Sequence, residues 1–297
     1  MKIITTLGFI LSGLFGIAQP PKDVMIFHTS SSYTSFPDTG RVTGHRYKNI
    51  LYDAPTHYND NTVLIIVPKK LDVKKKVDMV FWFHGWNNNI DSAVIRYALI
   101  RQFESSGLNA VLILAETAKN SPDSYGGKLE QKDIFKNLVI DVMLKLKKER
   151  IIPKKTKPGN MVLAGHSGAY RVIANILQNG GLPVRETILF DALYAETDKF
   201  MNWINADLSN QFINIYTDHG GTDTETKEMI KKMTSKNIQV DILEESGLNH
   251  QQIKSNRILV IHSLREHDDI INDPDNFALF ISNSPFLNKL ISIRNKF

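Results

Sequence analysis

The sequence predicts an α/β protein with a mostly parallel central sheet and helices on both faces. Short apolar runs rich in β-branched residues alternate with amphipathic stretches at helical spacing, the rhythm of βαβ units. The runs at 77–83, 111–115 and 161–164 are apolar almost throughout, as strands buried on both faces are. Polar residues able to do chemistry stand directly after such runs, where an open parallel sheet binds its ligands.

In chain order, residues 24–28 and 63–67 predict opening strands, separated by a turn-rich segment with Pro37-Asp38-Thr39-Gly40 and Asp53-Ala54-Pro55. After the strand at 77–83, Asp91 caps a helix that carries Val94, Ala98, Leu99 and Phe103 on one face, and Gly107 ends it. The strand at 111–115 is followed by a loop at 116–130, then by a helix with Phe135, Leu138, Val139, Val142 and Leu146 on one side. A strand at 161–164 leads into a helix at 169–178, closed by Gly180-Gly181. Strands at 186–190 and 212–216, a helix at 225–235, strands at 238–243 and 258–262, and a helix at 276–287 complete the pattern. No repeat, low-complexity tract or linker divides residues 19–297, so one domain is expected.

Residues 1–18 have the parts of a secretory signal: Lys2, an apolar stretch at 3–17, and Ala18 before Gln19. The apolar stretch is short for a membrane span and has no stop-transfer charges behind it. The expected location is therefore secreted or periplasmic, with no stable membrane insertion after cleavage. Removing the segment takes one lysine and no acid, so the formal charge falls from +5 to +4. The absence of cysteine excludes a thiolate metal site, a cysteine nucleophile and a lipidated cysteine. Lysine-rich stretches at 69–70, 74–76, 145–150 and 154–157 lack interleaved aromatics and read as solvated surface, with no nucleic-acid partner expected. The acids Asp268, Asp269, Asp273 and Asp275 lack the glycine and terminal glutamate of an EF-hand loop. They read as turn formers, and neither a metal nor a cofactor is expected.

The sharpest motif is Gly165-His166-Ser167-Gly168-Ala169-Tyr170, set directly after the strand at 161–164. It reads as a strand, a tight turn led by a serine, then a helix: a nucleophile elbow. Such a turn strains the serine backbone and requires small residues two positions either side, here Gly165 and Ala169. A serine hydroxyl is a weak nucleophile and needs a base, and the base needs a carboxylate to hold its tautomer.

With His84-Gly85-Trp86, Asp191 and a late histidine in the chain order Ser, Asp, His, residues 60–295 resemble the α/β-hydrolase superfamily. The segments at 123–130 and 190–194 are similar to those of an exported bacterial subset of it. The resemblance implies the α/β-hydrolase fold and a serine esterase-like hydrolase, with Ser167 as nucleophile and the Gly168 and Trp86 amides as an oxyanion hole. It places Asp191 as the acid, with Asp218 as the alternative, and His267 as the base, with His250 as the alternative. His84, Gly85 and His166 would lie beside the substrate. His262, inside a strand, reads as a packed histidine. The expected partner is a small-molecule or peptide substrate, and the expected reaction is ester hydrolysis through an acyl-enzyme. An amidase or peptidase, an acyltransferase, or a silent binding protein on the same fold are the other readings.

Overall fold

The computed structural model describes residues 22–291, so the signal segment at 1–18 lies outside the described residues. Strand β1 (Val24–Ser30) opens the chain, and a hairpin of β2 (His45–Tyr47) and β3 (Ile50–Tyr52) with the short helix α1 (Ala54–His57) precedes β4 (Thr62–Pro68). β5 (Lys76–Phe83) leads into α2 (Ile90–Arg96) and α3 (Leu99–Ser106), and β6 (Ala110–Ala115) leads into α4 (Ile134–Lys148). β7 (Lys157–His166) precedes α5 (Tyr170–Asn179), and β8 (Glu186–Phe190) precedes α6 (Thr197–Ala206). β9 (Gln211–Thr217), α7 (Asp223–Ser235), β10 (Asp241–Glu244), α8 (His250–Ser255), β11 (Ile258–Ser263) and α9 (Asn276–Ser282) follow.

Among the described residues nine strands form one sheet in the order β1-β4-β6-β5-β7-β8-β9-β11-β10. β1, β4 and β6 pair antiparallel, and every pair from β6 to β10 is parallel. From β5 the chain continues to β6 on one side, while β7 lies on the other, so the winding reverses between β5 and β7. That reversal opens a crevice at the carboxyl ends of these two strands. The register Phe83↔Gly165 and His166↔Phe190 delivers three consecutive strands to one level of that edge.

Successive side chains on a strand point to opposite faces, and the two faces carry separate cores. Ile65, Met79, Phe81, Val111 and Leu163 pack with Phe135 and Leu138 of α4, Ile173 of α5, Phe200 of α6 and Met229 of α7. Leu64, Val80, Trp82, Leu112 and Ile188 pack with Phe103 of α3, Ile253 of α8 and Phe277 of α9. Among the described residues no helix is long and apolar enough to cross a membrane.

Several elements depart from the sequence reading. The single helix expected after β5 is broken: Ala98 turns into the left-handed region at φ 47°, and the Gln102 amide donates to the Tyr97 carbonyl at 2.8 Å across the break. Its cap is Asn89, whose side chain accepts from Ser92 N, while Asp91 sits within the first turn. The sequence reading passed over α6 because Glu196 enters it at φ 65° without a capping side chain, although Phe200, Met201 and Ile204 have helical spacing. The closing helix stops at Ser282, and strand pairing at β10 begins only at Asp241.

Candidate active site

Ser167 follows β7 without an intervening residue and adopts φ 54°. For a residue with a Cβ this left-handed backbone is costly, and it aims the side chain out at the sheet edge. The small neighbours are required by space. A Cβ on Gly165 would stand 2.7 Å from Ala169 Cβ and from Ile173 Cδ1. A Cβ on Gly85 would stand 2.6 Å from Ser167 Cβ and 3.1 Å from its Oγ, so the loop after β5 touches the serine only because it carries glycine there.

Asp191 leaves β8 at φ 43° and is fully buried. Its Oδ2 lies 2.6 Å from His267 Nδ1 and accepts from Thr217 Oγ1 at 2.9 Å, while its Oδ1 accepts from Thr222 Oγ1. Burial pushes the Asp191 pKa up, but the bonds from His267, Thr222 and Thr217 together outweigh it and hold the carboxyl below its ordinary range. Gly220 caps the pocket: its amide donates to Thr217 Oγ1 at 3.0 Å, and a Cβ there would overlap Asp191 Oδ2. Tyr194 donates to the Gly220 carbonyl, and its ring stands nearly perpendicular to that of His267 with centroids 6.5 Å apart. Burial, then the Asp191 charge, pushes the Tyr194 phenol up to about 12.

Ser167 and His267 share a cleft of about 280 Å³ with His166, Asn87, Asn88 and Arg96. His166 is buried, with Nε2 2.9 Å from the His267 carbonyl oxygen and its ring centroid 4.4 Å from that of His267. On the other side of Ser167, the Trp86 indole lies against Gly168, whose added Cβ would meet Trp86 Cδ1 at 2.5 Å. Trp86 Nε1 donates to Ser124 Oγ at 2.7 Å. The Ser124 loop is clamped from the N-terminal segment: Arg41 holds Asp123 at 2.6 and 3.1 Å, and Tyr125 donates to Asp38 at 2.6 Å. Among the described residues the Trp86 amide has no hydrogen-bond acceptor within the chain.

The fold thus gathers Ser167, Asp191, His267, Gly85, Trp86, Gly168 and His166, and leaves the other candidates elsewhere. His84 is buried with Nε2 2.5 Å from Glu116 Oε1 and Nδ1 2.8 Å from the Gly85 carbonyl, so its ring has no edge to offer a substrate. Both nitrogens face acceptors, as an imidazolium requires. Burial lowers the His84 pKa, and the Glu116 charge more than reverses this, leaving it raised. Asp218 pairs with His262 at 3.0 Å, not with His267, because β9 carries it to the side of the sheet where β11 lies. His262 packs on the Tyr216 ring at 5.2 Å and also bridges Asp218 and, at 2.8 Å, Glu244. His250 begins α8 and bonds Asn283 at 2.9 Å. Asp268, read as a turn former, accepts from Tyr97 at 2.9 Å and from Arg96 at 2.6 Å. Glu116, Thr217, Thr222 and Tyr97 escaped the sequence reading. Glu116 and Thr217 had a usable signal, since one follows a buried strand directly and the other ends one.

A mostly parallel sheet with flanking helices, a serine turned sharply after its central strand, and a histidine–carboxylate pair at the same edge define an α/β-hydrolase fold. Solved structures agree. A ferulic acid esterase superposes with a TM-score of 0.55 at 9% identity, covering 89% of this chain and 99% of that one. FphF, a fluorophosphonate-binding serine hydrolase of Staphylococcus aureus, gives 0.53 at 10% identity over 89% of this chain and 100% of its own. The S-formylglutathione hydrolase FrmB of the same species gives 0.52 at 10%, over 88% and 98%. No protein-family model and no curated protein matches the sequence.

Proposed function

We propose that this protein is an exported serine hydrolase that cleaves carboxylic esters through an acyl-enzyme on Ser167. The observation that carries the reading is the 2.6 Å bond from His267 to a buried, fully hydrogen-bonded Asp191, in a cleft that also holds the left-handed Ser167. The esterases and serine hydrolases with this fold lend it further support.

Ser167 Oγ attacks the ester carbonyl as its proton passes to Nε2 of His267. Asp191 holds the Nδ1–H tautomer and stabilises the imidazolium without taking a proton. The Gly168 and Trp86 amides receive the oxyanion. His267 then protonates the departing alcohol as the carbon–oxygen bond breaks, and water releases the acid by the reverse route. The cleft is lined by Asn87, Asn88 and Arg96, which suit a leaving alcohol able to hydrogen-bond.

A fluorophosphonate probe on wild type and Ser167→Ala tests the reading, beside a panel of short esters, amides and an alcohol acceptor. Labelling lost on substitution, with ester turnover, is the expected result. Absent labelling of folded wild type overturns it, and turnover only with amides or only with the acceptor overturns the ester assignment. Export is tested by sequencing the N-terminus of protein recovered outside the cytoplasm: a start at Gln19 is expected, and a retained Met1 overturns it.

A further inference from the structure

Acyl transfer at Ser167 needs two loops to meet, one after β7 and one after β11. The 2.6 Å contact with Asp191 fixes only the Nδ1 end of His267. Its backbone and its ring plane are held by other groups. His166, the last residue of β7, reaches across with Nε2 to the His267 carbonyl at 2.9 Å and lays its ring on that of His267 at an interplanar angle of 38°. The Tyr97 ring packs edge to face on that of His166 at 5.3 Å, and its one hydroxyl proton goes at 2.9 Å to the side chain of the next residue in the base loop, Asp268. Arg96 holds the second Asp268 oxygen at 2.6 Å. Tyr97 points here because the helix breaks at Ala98. Burial, then the neighbouring His267, lowers the His166 pKa, so the ring is neutral and Nε2 keeps the proton that the carbonyl requires.

We propose that His166 and Tyr97 are positioning residues that tie the base loop to the nucleophile turn at two successive residues, 267 and 268. This rests on Ser167 and His267 acting as nucleophile and base. With the carbonyl, Nδ1 and one ring face of His267 all held, Nε2 has one place to be, in the cleft that the residue following His166 also lines. Both residues act through the His267 loop.

The test compares His166→Phe, which keeps a flat ring and loses the donor, with His166→Gln, which restores a donor to the carbonyl. His166→Phe is expected to lower kcat by roughly 100-fold, the order of effect of a ~1 Å misplacement, with KM changed less than about threefold. His166→Gln should recover most of that loss. A second readout needs no turnover: the low-field proton resonance of the His267–Asp191 bond should be present in wild type and His166→Gln and absent in His166→Phe. Unchanged kcat and resonance in His166→Phe, or equal losses in both variants, overturn the proposal. If His166→Phe does not fold, Tyr97→Phe decides, with loss of kcat and resonance expected and unchanged values overturning. If wild type neither labels nor turns over, the hydrolase reading fails, and the resonance still decides the tie.

Discussion

His267 Nδ1 stands 2.6 Å from Asp191 Oδ2, and the carboxylate it meets is fully buried and already holds two threonine hydroxyls. Asp191→Asn keeps the shape of that pocket and removes the charge that sets the His267 tautomer. A fall in kcat of about 10³- to 10⁴-fold is expected in steady-state ester hydrolysis. Asp218→Asn, which touches only the His262 pair, should stay within about threefold of wild type.

Gly220 lies where any side chain would run into Asp191 Oδ2. Gly220→Ala must push the carboxylate away from His267. Folding, read by circular dichroism, should survive with reduced stability, while kcat falls by roughly 100-fold. Wild-type kcat in this variant would show that the carboxylate tolerates displacement.

The backbone at Ser167 is strained at φ 54°, and only glycine is free of that strain. Ser167→Gly and Ser167→Ala should both abolish probe labelling. Urea denaturation should find the glycine variant more stable than the alanine variant by about 1 kcal/mol. The reverse order would place no strain at the elbow.

His84 and Glu116 form a buried ion pair at 2.5 Å beneath the Gly85 loop. Glu116→Gln removes the counter-charge of a buried imidazole and should cost about 3–5 kcal/mol by denaturant titration at pH values below the ordinary histidine range. The folded pKa of His84 is raised, so the pair's contribution is fully present below the unfolded histidine value and is lost as pH rises through the folded one. The gap between wild type and variant should therefore be widest on the acid side and narrow with rising pH.

Glu186, at the opposite end of the sheet, is fully buried, and among the described residues its two carboxyl oxygens lack hydrogen-bond partners. Burial pushes its pKa up to about 8 despite the nearby Ser284 hydroxyl. The folded state keeps a proton that the unfolded chain releases above the ordinary glutamate range, so stability falls as pH rises between that range and about 8. The slope for one proton is about 1.4 kcal/mol per pH unit. Glu186→Gln should flatten the decline in melts from pH 5 to pH 8. An unchanged slope would mean that Glu186 is not its source.

What the sequence determined by itself is whatever neighbours in the chain decide. Apolar runs marked the parallel strands, and the serine motif with its small flanking residues marked the elbow, because strand burial and turn strain act over a few residues. His84-Gly85 and Asp191 were legible for the same reason, each standing at the end of a buried run. Which carboxylate meets which histidine was not fixed by chain neighbours. Asp191 and Asp218 look alike as residues that follow strands, as do His250 and His267 as loop residues. Choosing among them depends on sheet order, which seats Asp218 beside β11 and Asp191 one strand from the serine. The helix break at Ala98, which turns Tyr97 into the cleft, and the ring of His166 lying on His267 are likewise tertiary facts. Contacts spanning 76 and 101 residues decide where the His267 loop sits, and such contacts leave no periodicity to read.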